Sequence, residues 1–177
     1  MSENPLQYRR DVISHEASHA VVGWVMYGHA IDYIDVDRPR DGVAGCVEFI
    51  KPDPSEMTTA QLVRWLHESA VIFRAGGLCI NTPWTRVACE SDRVEVLKIG
   101  SDLMVEDLTR VWEPLVTAEA REKLADLRFE PAHRPLCQEL EDTFHEVMPG
   151  DRAHQIMDDA ILGGLAGMWR PHDAVRA

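Results

Sequence analysis

Cysteine is sparse and unpaired in this 177-residue chain: Cys46, Cys79, Cys89 and Cys137 stand far apart, with no C-x-x-C. That excludes a disulfide scaffold and a zinc ribbon, and leaves free thiols that read as small core residues. Basic residues are also few. Lys and Arg total 18 against 30 Asp and Glu, a formal net charge of −12 with no basic run. A field of that sign repels phosphate backbones and anionic headgroups, so neither nucleic acid nor a membrane is expected as a partner. Long apolar runs are missing too: the longest, AVVGWVMYG, falls far short of the about 20 residues a bilayer-spanning helix needs. The start, MSENPLQYRRD, has no apolar run behind a basic head and so no signal-peptide pattern. A soluble, cytoplasmic protein is the expectation. There is no internal repeat, no low-complexity tract and no G-x-x-x-x-G-K-[ST] phosphate loop.

What is present suffices for a packed core. Hydrophobic residues make up 45% and charged residues 27%, and the length predicts one domain spanning residues 1–177. The pattern predicts a mainly α fold with a small β-sheet or hairpin. A first helix runs from after Pro5 to about Tyr27, with Gly28 as its stop. Ile34 and Val36 alternate with acids, Pro39 to Gly42 is turn chemistry, and Val43 to Ile50 reads as a strand. A second helix opens near Thr58, with Gln61 placed for a capping box, and Gly76-Gly77 ends or kinks it. A third begins at Ser91 and buries Val94, Leu97, Leu103 and Met104. Pro114 breaks that pattern. Amphipathic stretches follow at about Thr117–Leu127 and Pro135–Met148, then a last helix after Pro149-Gly150-Asp151 to about Trp169.

Residues 15 to 19 read HEASH, an H-E-x-x-H motif inside the first helix. Positions four apart share a helix face, so His15 and His19 can place two imidazoles on one metal ion. Glu16 sits roughly 100° around the helix, beside the ion and not on it. Zinc brings the pKa of a coordinated water to near 7, so Glu16 can take that proton and later hand it to a departing amine. The neighbours Val12, Ala20 and Val22 are apolar, which makes the histidine face partly buried and in need of a partner. A catalytic zinc takes three protein ligands and keeps one position open. A metzincin would carry Gly and His three and six residues past His19; Val22 and Val25 stand there, which excludes that class. The third ligand must come from farther along, and spacing leaves Glu68, Glu90, Asp92 and Glu95 open. Asp92 falls in the first turn of the expected third helix, where a carboxylate also suits the helix dipole.

The segment HEASHAVVGW resembles the zinc-site helix of the FtsH-type peptidases, the proteolytic half of membrane-bound AAA+ proteases. In the same order, RPRDGVAGCVEFI resembles that family's hairpin ahead of a strand, and ESAVIFRAGGLCIN its apolar helix ending in an Ala-Gly turn. CESDRVEVLKI resembles the segment whose Asp completes the zinc site. The resemblance covers about residues 9–110, with a helical C-terminal part at about 115–170 outside it. It implies Zn2+ held by His15, His19 and Asp92, with Glu16 as general base. It also implies a peptide or unfolded protein as substrate, with the strand Val43–Ile50 aligning it, and assembly into an oligomer. Two departures stand out. Gly77-Leu78-Cys79-Ile80-Asn81 follows where the family carries acidic residues, and the phosphate loop of its ATPase is absent. Unfolding would then fall to a separate unfoldase. The alternative expectation is a zinc-binding interaction or assembly module derived from such a peptidase, without catalysis. His29, His67, His133, His145, His154 and His172 lack ligand spacing and read as surface or capping residues. The five tryptophans read as core, with Trp84 as a candidate cleft residue. The acidic stretches Glu119–Glu130 and Glu139–Glu146 read as solvated helix faces.

Overall fold

Helix α1 (Pro5–Val21) is the element around which the others assemble. Every residue from Asp11 to Gly23 except Ser14 is buried, polar ones included. A helix buried on all sides must be surrounded. Here α2 (Thr59–Cys79), α3 (Thr85–Asp102), α5 (Phe129–Asp142) and strands β1 (Ile31–Asp35) and β2 (Cys46–Phe49) all pack against it. The computed structural model describes residues 5–36, 45–80, 85–143 and 146–168. The expected turn Pro39–Gly42, Val43, Trp84, His145, Trp169 and His172 lie outside them.

The protein is mainly α with a small sheet, as the pattern predicts. Past Val21 the first helix continues as a π-helical turn, Val22–Tyr27, and stops at Gly28, whose φ of 75° is the left-handed stop. The capping box is formed in both directions: Thr58 N–H donates to Gln61 Oε1 (2.9 Å), and Gln61 N–H donates to Thr58 Oγ1 (3.3 Å). β1 and β2 pair antiparallel in a hairpin, with Ile34 opposite Val47.

Other boundaries fall elsewhere. Strand β3 (Met148–Pro149), unexpected from sequence, pairs with β1 through Ile34 and Tyr33, giving the order β2-β1-β3. It leads directly into α6 (Gly150–Met168), which packs on β1 and α5. α2 runs through Gly76-Gly77 to Cys79 and does not end there. α3 starts at Thr85, six residues early, and its buried stripe is Val96, Ile99 and Gly100; Val94 is 54% exposed and Met104 86%. A second π-helical turn, Leu108–Trp112, precedes α4 (Glu113–Leu124), where Pro114 occupies the first turn, the one place a helix tolerates it. α5 begins at Phe129 and carries Pro135 inside it, because burial of Phe129, Ala132, His133, Leu136 and Leu140 outweighs the lost N–H. Among the described residues, no helix is long and apolar enough to cross a membrane.

The Thr58–Gln61 box satisfies orphan donors at the start of the helix that flanks the imidazoles. Thr58→Ala is expected to lower stability by about 1 kcal/mol, read as an earlier urea midpoint with an unchanged slope.

Candidate metal centre

Asp92 meets His15 and His19 across the α1–α3 interface. The imidazoles stand edge to face, with centroids 4.6 Å apart at 89°, and their Nε2 atoms are 3.0 Å from each other. Asp92 Oδ2 lies 3.1 Å from His15 Nε2 and 3.5 Å from His19 Nε2. Though close, Asp92 Oδ2 is not aligned as an acceptor for either ring and is buried without a hydrogen bond. Two ring nitrogens and a carboxylate oxygen thus crowd one buried point, with the imidazoles in hydrogen-bonding contact and the carboxylate oxygen beside both. A tetrahedral ion with bonds of about 2.0 to 2.1 Å sets its ligands about 3.3 to 3.4 Å apart, so the trio fits an ion such as Zn2+. His19 Nδ1 donates to the Ile72 carbonyl of α2 at 2.7 Å, which fixes the ring and turns Nε2 toward the point of convergence.

Backbone spacing makes this possible. A Cβ at Gly76 would run into His19 Nε2 and lie 2.9 Å from His15 Cε1; a Cβ at Gly77 would lie 3.0 Å from Cys89 Sγ of α3. Adjacent glycines therefore let α2 approach α1 with one residue and α3 with the next. On α3, Asp92, Val96 and Ile99 share one face (i, i+4, i+7), so the rotation that buries the stripe also aims the carboxylate at α1. That rotation is held from α4 and the π-helical turn before it. Arg93 forks onto Glu113 (2.7 and 3.2 Å), and the Trp112 indole N–H donates to the Val96 carbonyl at 2.7 Å. Asp92 is therefore a mid-helix residue, not the helix-start residue expected from sequence.

The other candidate third ligands are engaged elsewhere. Glu68 accepts from His29 Nε2 (2.8 Å) and Arg64 Nε (2.7 Å). Glu90 pairs with Arg93 at 3.5 Å and Glu95 with Lys98 at 3.6 Å. Among the described residues, His15, His19 and Asp92 are the set of His, Cys, Asp or Glu groups close enough to share an ion.

Glu16 is buried beside this trio and accepts the backbone N–H of Val47 in β2. Burial lifts its carboxyl above the ordinary range, and the nearby imidazoles only partly offset that. Burial alone would lower His19, but the Asp92 carboxylate overrides it and raises the imidazole to about 9. Burial would likewise raise Asp92, yet His19 and His15 hold it well below the usual carboxylate range. A cavity of about 540 Å³ between the ends of α2 and α4 is lined by Gly77, Leu78, Ile80, Arg121, Leu124 and Ala125, none of them a member of the trio or Glu16.

Sequence reasoning passed over several supporting groups: Gly76 (read as a stop), the Ile72 carbonyl and the Val47 N–H. A glycine pair within an apolar helical pattern was the signal available for the first. Glu119, a solvated residue by sequence pattern, accepts from Tyr27 Oη (2.6 Å) and His67 Nε2 (2.8 Å), joining α4 to the end of the first helix and to α2.

Two outcomes follow. Gly76→Ala is expected to weaken zinc retention about 10-fold or more, measured by competition with a chromophoric chelator. Metal-free protein gains stability from a His19 that binds its proton more tightly folded than unfolded. That gain is complete below about pH 6.5 and disappears as pH rises through about 9. Melting temperatures of chelator-treated protein should therefore fall across that window, and added zinc should remove the fall. No protein-family model and no curated protein matches the chain, so any assignment for this centre starts from its own geometry.

Proposed function

We propose that the protein is a zinc metalloendopeptidase of the H-E-x-x-H type, with Asp92 as third ligand and no ATP requirement within this chain. The observation that carries this is the convergence of His15 Nε2, His19 Nε2 and Asp92 Oδ2 at 3.0 to 3.5 Å with Glu16 buried beside them. The likeness of HEASHAVVGW and the ordered segments after it to FtsH-type peptidases points the same way. When bound, zinc supplies Lewis-acid polarisation of a carbonyl and a water acidic enough to give up its proton near pH 7.

The chain's own groups do the rest. His15, His19 and Asp92 hold the ion and leave a coordination position for the reacting groups. Glu16, with a carboxyl raised by burial, takes the proton of the attacking water and delivers it to the leaving amine. Its bond to Val47 ties the base to β2, an outer strand of the sheet among the described residues. An extended peptide adding alongside β2 is aligned by backbone hydrogen bonds with its scissile bond within reach of Glu16. The substrate class is a peptide or an unfolded protein segment, with a separate unfoldase supplying the latter.

The test is cleavage of an unstructured peptide library by zinc-loaded protein without ATP, alongside Glu16→Gln. Wild type should cleave, and the variant should lose about 100-fold or more in rate while still holding zinc. Equal cleavage by both proteins sinks the assignment of Glu16. Silence from both, with zinc bound, supports instead a zinc-binding interaction module.

A further inference from the structure

His133 and His29 are not the surface residues expected from sequence. His133, 9% exposed, stacks on Phe129 and lies 3.3 Å from Ser18 Oγ, as part of the packing between α5 and α1. His29, with its side chain 9% exposed, sits where β2 and α2 come together. Its Nε2 donates to the buried Glu68 carboxylate of α2 at 2.8 Å, and Arg64 Nε holds the other carboxylate oxygen at 2.7 Å. Three rings surround the imidazole: Tyr27 at 6.1 Å, Phe49 of β2 edge-on at 6.2 Å and 84°, and Trp65 of α2 parallel at 6.1 Å and 9°. The Ile50 N–H donates to the Ala30 carbonyl at 2.8 Å and fastens the end of β2 beside them.

The place of this cluster follows from how β2 and α2 lie on the first helix. β2 runs along that helix in the same direction: a Cβ at Gly45 would lie 2.8 Å from Val12 and 3.0 Å from Glu16, and one at Gly23 would run into the Phe49 ring. α2 runs the opposite way on the neighbouring flank. Gly76 stands against both imidazoles, the Ile72 carbonyl on His19 and Glu68 on His29. Val12, Glu16 and Gly23 thus lie under β2, while His15 and His19 lie under α2, about 60° around the helix. Gly23 is one turn past His19, a rise of about 6 Å. There Phe49, His29 and Trp65 bridge the two flanks, so the strip between β2 and α2 closes one turn beyond the metal ligands. Phe73 of α2 meets His19 edge-on at 6.3 Å, and Phe49, Trp65 and Phe73 are each only half-buried.

We infer that Phe49 determines specificity: its ring is the end wall of a subsite beside the metal centre and limits the length of the substrate side chain that lies there. The inference rests on the peptidase reading above. The rings of Phe49 and Phe73 offer neither charge nor hydrogen-bond partner, so a polar side chain would lose its water without compensation and the subsite takes an apolar one. With its end about one helical turn from His19, it holds a branched aliphatic chain and leaves no room for an indole. Removing the ring leaves a phenyl-shaped space, with the His29 imidazole at its edge and Gly23 beneath it, and an aromatic side chain of the substrate fits there.

The test uses the whole zinc-loaded protein and two series of peptide hydroxamates, whose binding needs no cleavage. Each series carries an isobutyl, benzyl or indolylmethyl side chain, placed in one series before the scissile position and in the other after it. In one series wild type should bind the isobutyl compound about tenfold or more tighter than the indolylmethyl one, and Phe49→Ala should turn that order toward the aromatic compounds. The same order in both proteins overturns the inference, as does a wild type that binds all three side chains equally or binds no hydroxamate. Should Phe49→Ala fail to fold, Phe49→Leu decides: a narrowed preference supports the wall, and an unchanged one overturns it. Cleavage of the peptide library by the same proteins separates the two readings. A size order that Phe49→Ala shifts, in protein that cleaves nothing, removes the peptidase and leaves the subsite. Cleavage with one side-chain profile in both proteins removes the subsite and leaves the peptidase.

Discussion

A carboxylate and two imidazoles held out of water within 3.5 Å of one another form a site that demands positive charge. Desolvation penalises Asp92 as an anion, and nothing on the protein side neutralises it except a proton on an imidazole or a metal ion. The rest of the architecture follows from that demand. α1 buries Asp11, His15, Glu16, Ser18 and His19, and a buried polar helix needs neighbours on every side. α2, α3, α5 and the hairpin supply them. Each neighbour also contributes something to the chemistry: the Ile72 carbonyl and the glycine pair from α2, Asp92 from α3, the Val47 N–H from β2.

Those contributions differ in rigidity. His15, Glu16 and His19 share one helix, so their relative positions are set by helical geometry alone. Asp92 arrives on a second helix, and its distance depends on side-chain-free contact at Gly76 and Gly77 and on the Arg93–Glu113 fork. Exposed ion pairs contribute little stability. This one serves instead to fix the rotation of α3, and with it the direction of the carboxylate.

What was legible in the sequence was local. The helical placement of HEASH, the Thr58–Gln61 box and the Gly28 stop each depend on residues within one or two turns, and the structure contains these as read. Features set by packing were not legible. The stripe on α3 was read through Val94 and Leu97, whereas its phase is set by the need to face α1, which selects Asp92, Val96 and Ile99. Gly76-Gly77 carries the helix-stop signature but serves close approach, a purpose visible only once two neighbouring helices are in place. β3 has two residues and no periodicity; it exists because β1 offers an edge. Pro135 says "break" locally, and the burial of five side chains around it says otherwise.

The three-helix origin of the cage has a consequence for which ions it can hold. Rotamer changes cannot widen it much, since His19 is pinned by Ile72 and Gly76 lies close against both rings. Ligand atoms 3.0 to 3.5 Å apart suit a small ion with short bonds. Calcium, with six to eight oxygen ligands at about 2.3 to 2.6 Å, would have to push whole helices apart and would still meet two nitrogens. On the proposed reading, selection among metals would rest on helix spacing as much as on ligand chemistry, with radius deciding before affinity.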